Sequence, residues 1–185
     1  MAGHHLILGK LRDLITGDTL DDTHDEQLKQ GIAALLVDGK GFNRNEIRPR
    51  WPLTLRAGDK CAIISIDFGI TINEQVSMLI KYGPGSLVTR HRPALAASRL
   101  LVPYQIPVVV VTNGIDADIL DGTSGKVMAR GLDAIPDKPA LTHIVADRTF
   151  ASIPSGRTEK ESRIAFAFEI DGSCPCDDTV CRING

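Results

Sequence analysis

With 185 residues, the chain is long enough for one domain with a sizeable core, and its 43% hydrophobic and 24% charged residues are ordinary for a globular protein. The net charge of −2 and the pI near 6.2 argue against a surface that is basic overall, although they leave room for a local basic groove. No apolar run reaches the roughly 18 residues that a membrane span needs, and Met1 to Lys10 lacks a signal-peptide core, so we expect a cytoplasmic protein that does not bind membranes.

The first half of the chain predicts one helix and three strands. Residues 1–21 carry no regular pattern and are expected to be irregular. Thr23 and Glu26 form a capping box, in which each side chain can satisfy a free backbone amide, and the helix that they begin should end near Gly39. The apolar residues of this helix share one face: Leu28, Ile32, Leu35 and Leu36. Strands are predicted over residues 47–56, 60–70 and 74–82, the last two as an antiparallel pair.

The second half predicts a buried strand between helices. Residues 88–102 should form a helix, and the β-branched run that ends at Thr112 is typical of a central strand buried on both faces. A hairpin is predicted around residues 121–125, and a helix near residues 138–148 follows. A second capping box, Thr158 with Glu161, should begin a last helix that reaches Phe168.

This order of elements predicts an α/β or α+β fold with a mixed central β-sheet flanked by helices. We expect residues 1–150 to form that domain. Residues 151–185 should add a C-terminal helix and a tail that contains cysteines.

Four short segments carry a resemblance to a known family. They are Asp25 to Gln30 at the start of the first helix, Leu36 to Phe42 at its end, Ile66-Asp67-Phe68, and Val110 to Gly114. In their order and spacing they resemble the N-terminal domain of type I restriction enzyme R subunits, a member of the restriction-endonuclease-like superfamily. The resemblance covers roughly residues 20–135 and implies a restriction-endonuclease-like sheet.

The resemblance also implies a metal-dependent nuclease site. In that superfamily one strand carries an aspartate, the next strand carries Glu-x-Lys, and a carboxylate on the first helix completes the site. The carboxylates hold Mg²⁺, which activates water and stabilises the charge of the reacting phosphate, while the lysine assists the nucleophile. Asp67 matches the strand aspartate, and Asp25 matches the helix acid, since it projects toward the apolar face of the helix.

The Glu-x-Lys pair has no match in this chain. Its positions fall on Ile80 and Tyr82, while Lys81 points to the opposite face of the strand. A shift by one residue brings Lys81 to the lysine position but places Leu79 at the glutamate position. Asp67, Asp25 and Lys81 are therefore candidate catalytic residues of a site that we expect to have lost its catalytic activity.

Each of these residues also has a structural explanation. Asp67 can cap the end of a strand or pair with a basic residue, and Asp25 is favoured in a first helical turn by the helix dipole. Ile80 and Tyr82 are expected to be core residues.

Three cysteines lie close together in the tail, at Cys174, Cys176 and Cys181. With Cys61 or a histidine as fourth ligand they can hold zinc or an iron–sulfur cluster. The alternatives are a partly disordered tail that carries thiols, and redox or disulfide pairing.

A basic cluster at Arg90, His91 and Arg92 can contact the phosphates of a nucleic acid, and the alternative is a solvated basic face. The chain has no G-x-x-x-x-G-K-[ST] motif and hence no recognisable ATP motor.

These observations favour a stand-alone restriction-endonuclease-like domain that has lost catalysis and binds nucleic acid or protein. The alternatives are an active Mg²⁺-dependent DNA endonuclease with a rearranged site, and a metal-binding protein with cysteine ligands. Expected partners are DNA and a restriction–modification or other protein, and a homodimer stays open.

Overall fold

A computed structural model describes residues 6–171 and 181–183 of the chain. The strands are β1 (Gly9–Arg12), β2 (Thr19–Asp22), β3 (Ile47–Ala57), β4 (Lys60–Ile72), β5 (Gln75–Tyr82), β6 (Val108–Thr112), β7 (Ala117–Asp121), β8 (Val127–Arg130) and β9 (Cys181–Ile183). The helices are α1 (His24–Ala34), α2 (Val88–Ser98), α3 (Lys138–Ala146) and α4 (Ser155–Phe166).

Six strands follow one another across a mixed sheet in the order β3-β4-β5-β6-β7-β8. Neighbours are antiparallel except β5 and β6, which are parallel and are connected through α2. The strand β9 pairs with the first part of β4, and β1 and β2 form a separate hairpin. This architecture confirms the predicted mixed sheet flanked by helices.

The sheet buries both of its faces. One core contains buried residues of α1 and α3, and the other contains buried residues of α2 and α4. The strand β6 contributes Val108 and Val110 to the first core and Val109 and Val111 to the second. All five of its residues are buried, so the predicted central strand is confirmed.

The long strand β4 changes faces at Asp67. Ile66 belongs to the α2–α4 core, whereas Phe68, two residues later, belongs to the α1–α3 core. Regular alternation would place both side chains on one face. On β3, Arg50 lies opposite Asp67, between two residues that pair regularly with β4. Its φ of 46° is a left-handed conformation, which is unusual for a residue with a side chain. This irregularity lets the side chain of Asp67 reach α1.

The N-terminal end of the described chain differs from the prediction. Residues 1–21 were expected to be irregular, but β1 and β2 pair between residues 9 and 22. Their strands are four residues long and largely exposed, so they carry no hydrophobic alternation that a sequence could show. A salt bridge between Lys10 and Asp21 supports the hairpin.

The second predicted capping box is wrong. The helix α4 begins at Ser155 with Pro154 as N-cap, so Thr158 lies inside the helix. The carboxylate of Glu161 is only 1% exposed and contacts arginines instead of a backbone amide. The first box is confirmed at Thr23, which accepts a hydrogen bond of 3.1 Å from the Glu26 N–H.

Beyond its apolar contacts, α4 also covers the edge strand. The Ser162 hydroxyl accepts a hydrogen bond from the Arg56 N–H at 2.9 Å and donates one to the Arg56 carbonyl at 2.6 Å. It thereby satisfies backbone groups of β3 that would otherwise lack a strand partner.

Asp13 anchors the hairpin to the rest of the domain. Its carboxylate is buried, accepts hydrogen bonds from the N–H groups of Ile15 and Thr16, and lies 2.7 Å from Arg50. Burial alone would raise the pKa of Asp13, but the Thr16 N–H and the Arg50 guanidinium lower it to about 2. Asp13 is therefore ionised in the folded protein at any pH above that value.

We expect Asp13→Asn to lower the free energy of unfolding at pH 7 by about 2 kcal/mol, which is the stability that the lowered pKa represents. Because the folded pKa lies below the unfolded one, this stability is present above pH 4 and is lost as the pH falls toward 2. Urea unfolding at pH 7 and pH 3 should show a smaller difference between wild type and variant in acid. The exposed Asp38→Asn serves as control, and an equal loss in both variants would contradict this role.

Candidate active site

A polar cluster lies where α1 meets the end of β5, at the edge of the sheet where the parallel strands β5 and β6 terminate. It consists of Asp25 and Lys29 from α1, Asp67 from β4 and Tyr82 from β5. Asp25 and Lys29 are one helical turn apart, so their side chains project from the same side of α1. The cluster contains Asp25 and Asp67, the two carboxylates that were predicted from the sequence as candidate catalytic residues.

Both oxygens of the Asp67 carboxylate are engaged. Oδ2 accepts a hydrogen bond of 2.8 Å from the Tyr82 N–H, and Oδ1 lies 3.1 Å from Lys29 Nζ. The backbone pairing of β4 with β5 ends at the pair Phe68–Ile80, so Tyr82 has no partner residue on β4. The Asp67 side chain accepts the Tyr82 N–H hydrogen bond that a backbone carbonyl of β4 would otherwise accept. Asp67 is 7% exposed and therefore needs this counter-charge.

Tyr82 connects the two carboxylates. Its backbone binds Asp67, while its hydroxyl donates a hydrogen bond of 2.8 Å to Asp25 Oδ1. The ammonium of Lys29 lies 5.6 Å from the centre of the Tyr82 ring, within range of a cation–π interaction. The four residues thus form one closed network.

The electrostatics fix the protonation of this network. Burial raises the pKa of Tyr82, and the hydrogen bond to Asp25 and the charges of both aspartates raise it further. Burial alone would lower the pKa of Lys29, but the nearby Asp67 carboxylate raises it overall. At neutral pH the phenol is therefore protonated and the amine is charged. Tyr82 acts as a hydrogen-bond donor here and not as a nucleophile.

A family model described as the type I restriction enzyme R protein N terminus matches residues 24–136, which is more than half of the chain and includes all four cluster residues. The chain belongs to this family. No curated protein and no solved structure matches it. This match confirms the resemblance to the R-subunit N-terminal domain. The matched segment runs from the start of α1 to the residues just before α3.

In this R-protein N-terminal domain the Glu-x-Lys positions are core positions. Ile80 is fully buried and Tyr82 is 7% exposed, and both belong to the α1–α3 core. Lys81 points to the other face, where Nζ lies 3.1 Å from both the Ser65 carbonyl and Glu169 Oε2. The structure therefore does not bring Lys81 to Asp67.

Sequence analysis missed Lys29, the lysine that does reach Asp67. The family pattern places the catalytic lysine on β5, whereas Lys29 lies on α1. The signal was nevertheless present, because Lys29 follows Asp25 by four residues and shares its side of the helix.

The three basic residues nominated for DNA contact lie in different surroundings. His91 Nε2 is 2.7 Å from Asp118, and Arg92 is 2.6 Å from the buried Glu161. Arg90 instead donates a hydrogen bond of 3.1 Å to the Pro84 carbonyl and packs on Gly83, where a Cβ would come within 2.4 Å of its guanidinium. In the part of the chain that the structure describes, Arg90 is the one of the three without an acidic partner.

Most of the predicted cysteine site lies outside the described residues. Cys174 and Cys176 lie outside the described residues, as does the side chain of Cys181, whose backbone pairs with Ile63 in β4. Cys61 is partly exposed on the same strand. Within residues 6–171 no group of three or more His, Cys, Asp or Glu side chains could hold a metal ion, and no helix there is long and apolar enough to cross a membrane. Zinc or iron–sulfur binding stays a prediction.

Proposed function

We propose that this R-protein N-terminal domain binds duplex DNA without hydrolysing it. The observation that carries the proposal is the contact between Lys29 and Asp67, in which an ammonium group lies against the carboxylate that would otherwise attract a metal ion. Lys29 supplies the positive charge that Asp67 requires in its buried position.

The rest of the cluster supports the absence of hydrolysis. A Mg²⁺ ion prefers an octahedron of oxygen ligands and usually takes one or two from carboxylates. Ile80 contributes no oxygen, and the Tyr82 hydroxyl donates to Asp25 instead of accepting. Mg²⁺ would therefore have to displace Lys29 to reach Asp67 Oδ1.

The family and the position of Arg90 support DNA as the partner. Arg90 lies beside the turn that follows β5, next to the cluster, and its guanidinium retains donors beyond its bond to Pro84. A phosphate contact there would carry no sequence information but would fix the duplex on the domain. Binding to a restriction–modification or other protein, and assembly as a homodimer, stay predictions.

Fluorescence anisotropy with a labelled duplex tests binding. We expect Arg90→Ala to weaken binding about three- to tenfold and to lower the slope of log K against log salt by about one, the effect of losing one phosphate contact. Binding should persist in EDTA, because no Mg²⁺ ion is required for it. Arg163→Ala removes an exposed arginine of α4 that pairs with Glu159 and is the matched control. Equal affinity of wild type and Arg90→Ala would contradict the proposal.

An active nuclease is the second candidate, and Lys29 is the observation that favours it. Two carboxylates and a lysine do meet in one cluster, so Lys29 can take the part of the lysine that β5 lacks. Supercoiled plasmid incubated with Mg²⁺ or Mn²⁺ separates the candidates. Nicking by wild type that is lost in Asp67→Asn would establish the nuclease, whereas intact plasmid in both reactions supports binding without hydrolysis.

A further inference from the structure

Two exposed apolar side chains lie near the sheet edge where the parallel strands β5 and β6 end. Ile115, in the turn between β6 and β7, is 80% exposed, the highest value among the large hydrophobic side chains in the described part of the chain. Val88, which begins α2 after the loop that follows β5, is 68% exposed. Single exposed hydrophobic residues are common on protein surfaces, so exposure alone does not assign a role to Ile115.

The turn that carries Ile115 is held in one conformation by side-chain hydrogen bonds. Asn113 Oδ1 accepts hydrogen bonds from the N–H groups of Ile115 and Asp116 at 3.0 and 2.8 Å. The Thr112 hydroxyl accepts one of 3.0 Å from the Gly114 N–H and donates one of 2.7 Å to the Asp116 carbonyl. Because the turn is already ordered, Ile115 can contact a partner with little further loss of conformational entropy.

The turn lies between α1 and the loop that carries the proposed DNA contact. A Cβ on Gly114 would come within 3.0 Å of Leu28, so the turn packs on α1. On the other side, the Asn113 amide donates a hydrogen bond of 3.4 Å to the Gly85 carbonyl, in the loop on which Arg90 packs. A single DNA-binding module buries about 600–1,000 Å² of its own surface, so a duplex bound at Arg90 would also cover this turn.

The chemistry of the turn favours contact with bases over contact with the phosphate backbone. The side chain of Ile115 offers no donor to a phosphate, and the negative charge of the adjacent Asp116 disfavours one. Asp116 Oδ1 is already engaged by the Ala117 N–H at 2.8 Å. Isoleucine is one of the apolar side chains that DNA-binding proteins insert between base pairs, where it unstacks a base step and kinks the duplex.

We infer that Ile115 enters the duplex as a wedge, and that the preferred ligand of this surface is duplex DNA with a disrupted base step. The inference rests on the proposed DNA binding and names the class of DNA that is bound. Unstacking a step costs free energy, and the cost is lower where a base pair is already mismatched. A domain that inserts Ile115 therefore binds a mismatched duplex more tightly than a matched duplex of equal length and charge.

Two short duplexes of equal length, one fully paired and one with a central mismatch, measure this preference by fluorescence anisotropy. We expect wild type to bind the mismatched duplex about tenfold more tightly. A fluorescent adenine analogue beside the mismatch reports the unstacking, because stacking quenches its fluorescence. This fluorescence should rise when wild type binds, since an aliphatic side chain does not replace the stacked base as a quencher.

Ile115→Ala shortens the wedge without changing a charge. The variant should bind both duplexes with the affinity that wild type has for the matched one, and the analogue should stay quenched. Its slope of log K against log salt should equal that of wild type, because no phosphate contact is lost. Ile7→Ala, at an isoleucine before β1 that is 58% exposed, is the matched control and should keep the full preference.

The possible failures of this experiment are distinguishable. Equal affinity of wild type for the two duplexes would overturn the inference and leave DNA binding intact. An unchanged preference in Ile115→Ala would also overturn it, and the turn would then be better explained as a contact surface for protein. No binding of wild type to either duplex would overturn the proposed function, and the inference with it.

Discussion

Replacing Glu161 by Gln should lower the free energy of unfolding by about 3–5 kcal/mol, the usual cost of removing one partner from a buried ion pair. Glu161 is 1% exposed and is the acid shared by Arg92, Arg99 and Arg157. Glutamine keeps the shape but leaves three guanidinium groups without a counter-charge. It also turns an amide group toward arginines that can only donate.

Thermal and urea unfolding measure this effect. For a domain of this size the loss corresponds to a melting temperature lower by about 6–20 °C. Glu159→Gln is the matched control, because Glu159 lies on the same helix in an exposed pair with Arg163 and should change stability by less than about 0.5 kcal/mol. Equal losses in the two variants would show that the buried cluster has no special role.

The pH dependence gives a second check on Glu161. Burial alone would raise the pKa of Glu161, but the contacts with the arginines lower it overall. A carboxylate with a lowered folded pKa contributes stability above its unfolded pKa near 4.5, and this stability is lost as the pH falls. The difference between wild type and Glu161→Gln should therefore shrink below that pH.

The sequence predicted the fold well where burial leaves a periodic pattern. The β-branched strand β6, the antiparallel pair β4–β5 and the apolar face of α1 follow from side-chain alternation, and the structure has all three. The hairpin of β1 and β2 could not be predicted in this way. Its strands are exposed, and its anchor, Asp13, depends on Arg50, which lies far along the chain.

In the candidate site, too, contacts between residues far apart in the chain could not be predicted from the sequence. The sequence nominated Asp25 and Asp67 and placed Lys81 on the opposite face, and the structure agrees on each position. The contact of Lys29 with Asp67 needs the change of faces in β4, which no local pattern reports. Glu161 was interpreted as a capping residue because Thr158 and Glu161 have the i, i+3 spacing of a capping box, and two residues inside a helix can have the same spacing.

Replacing Lys29 by Met should lower the free energy of unfolding by about 3 kcal/mol. The change leaves the Asp67 carboxylate, 7% exposed, with the Tyr82 N–H as its remaining partner. Lys29→Met combined with Asp67→Asn should recover most of the loss, because the double variant removes both charges. Lys160→Met, at an exposed position of α4, is the control and should stay within about 0.5 kcal/mol of wild type.

The same variant tests whether Lys29 occupies the place of a metal ion. If it does, the Asp67 carboxylate in Lys29→Met is free to attract Mg²⁺. Millimolar Mg²⁺ should then raise the melting temperature of Lys29→Met but not that of wild type or of Lys29→Met/Asp67→Asn, because an ion that binds only the folded state stabilises it. Equal responses of all three proteins would mean that the cluster has lost metal affinity altogether. If wild type and Lys29→Met respond equally while Lys29→Met/Asp67→Asn does not respond, Lys29 does not compete with the metal ion. The nuclease would then be the better supported function.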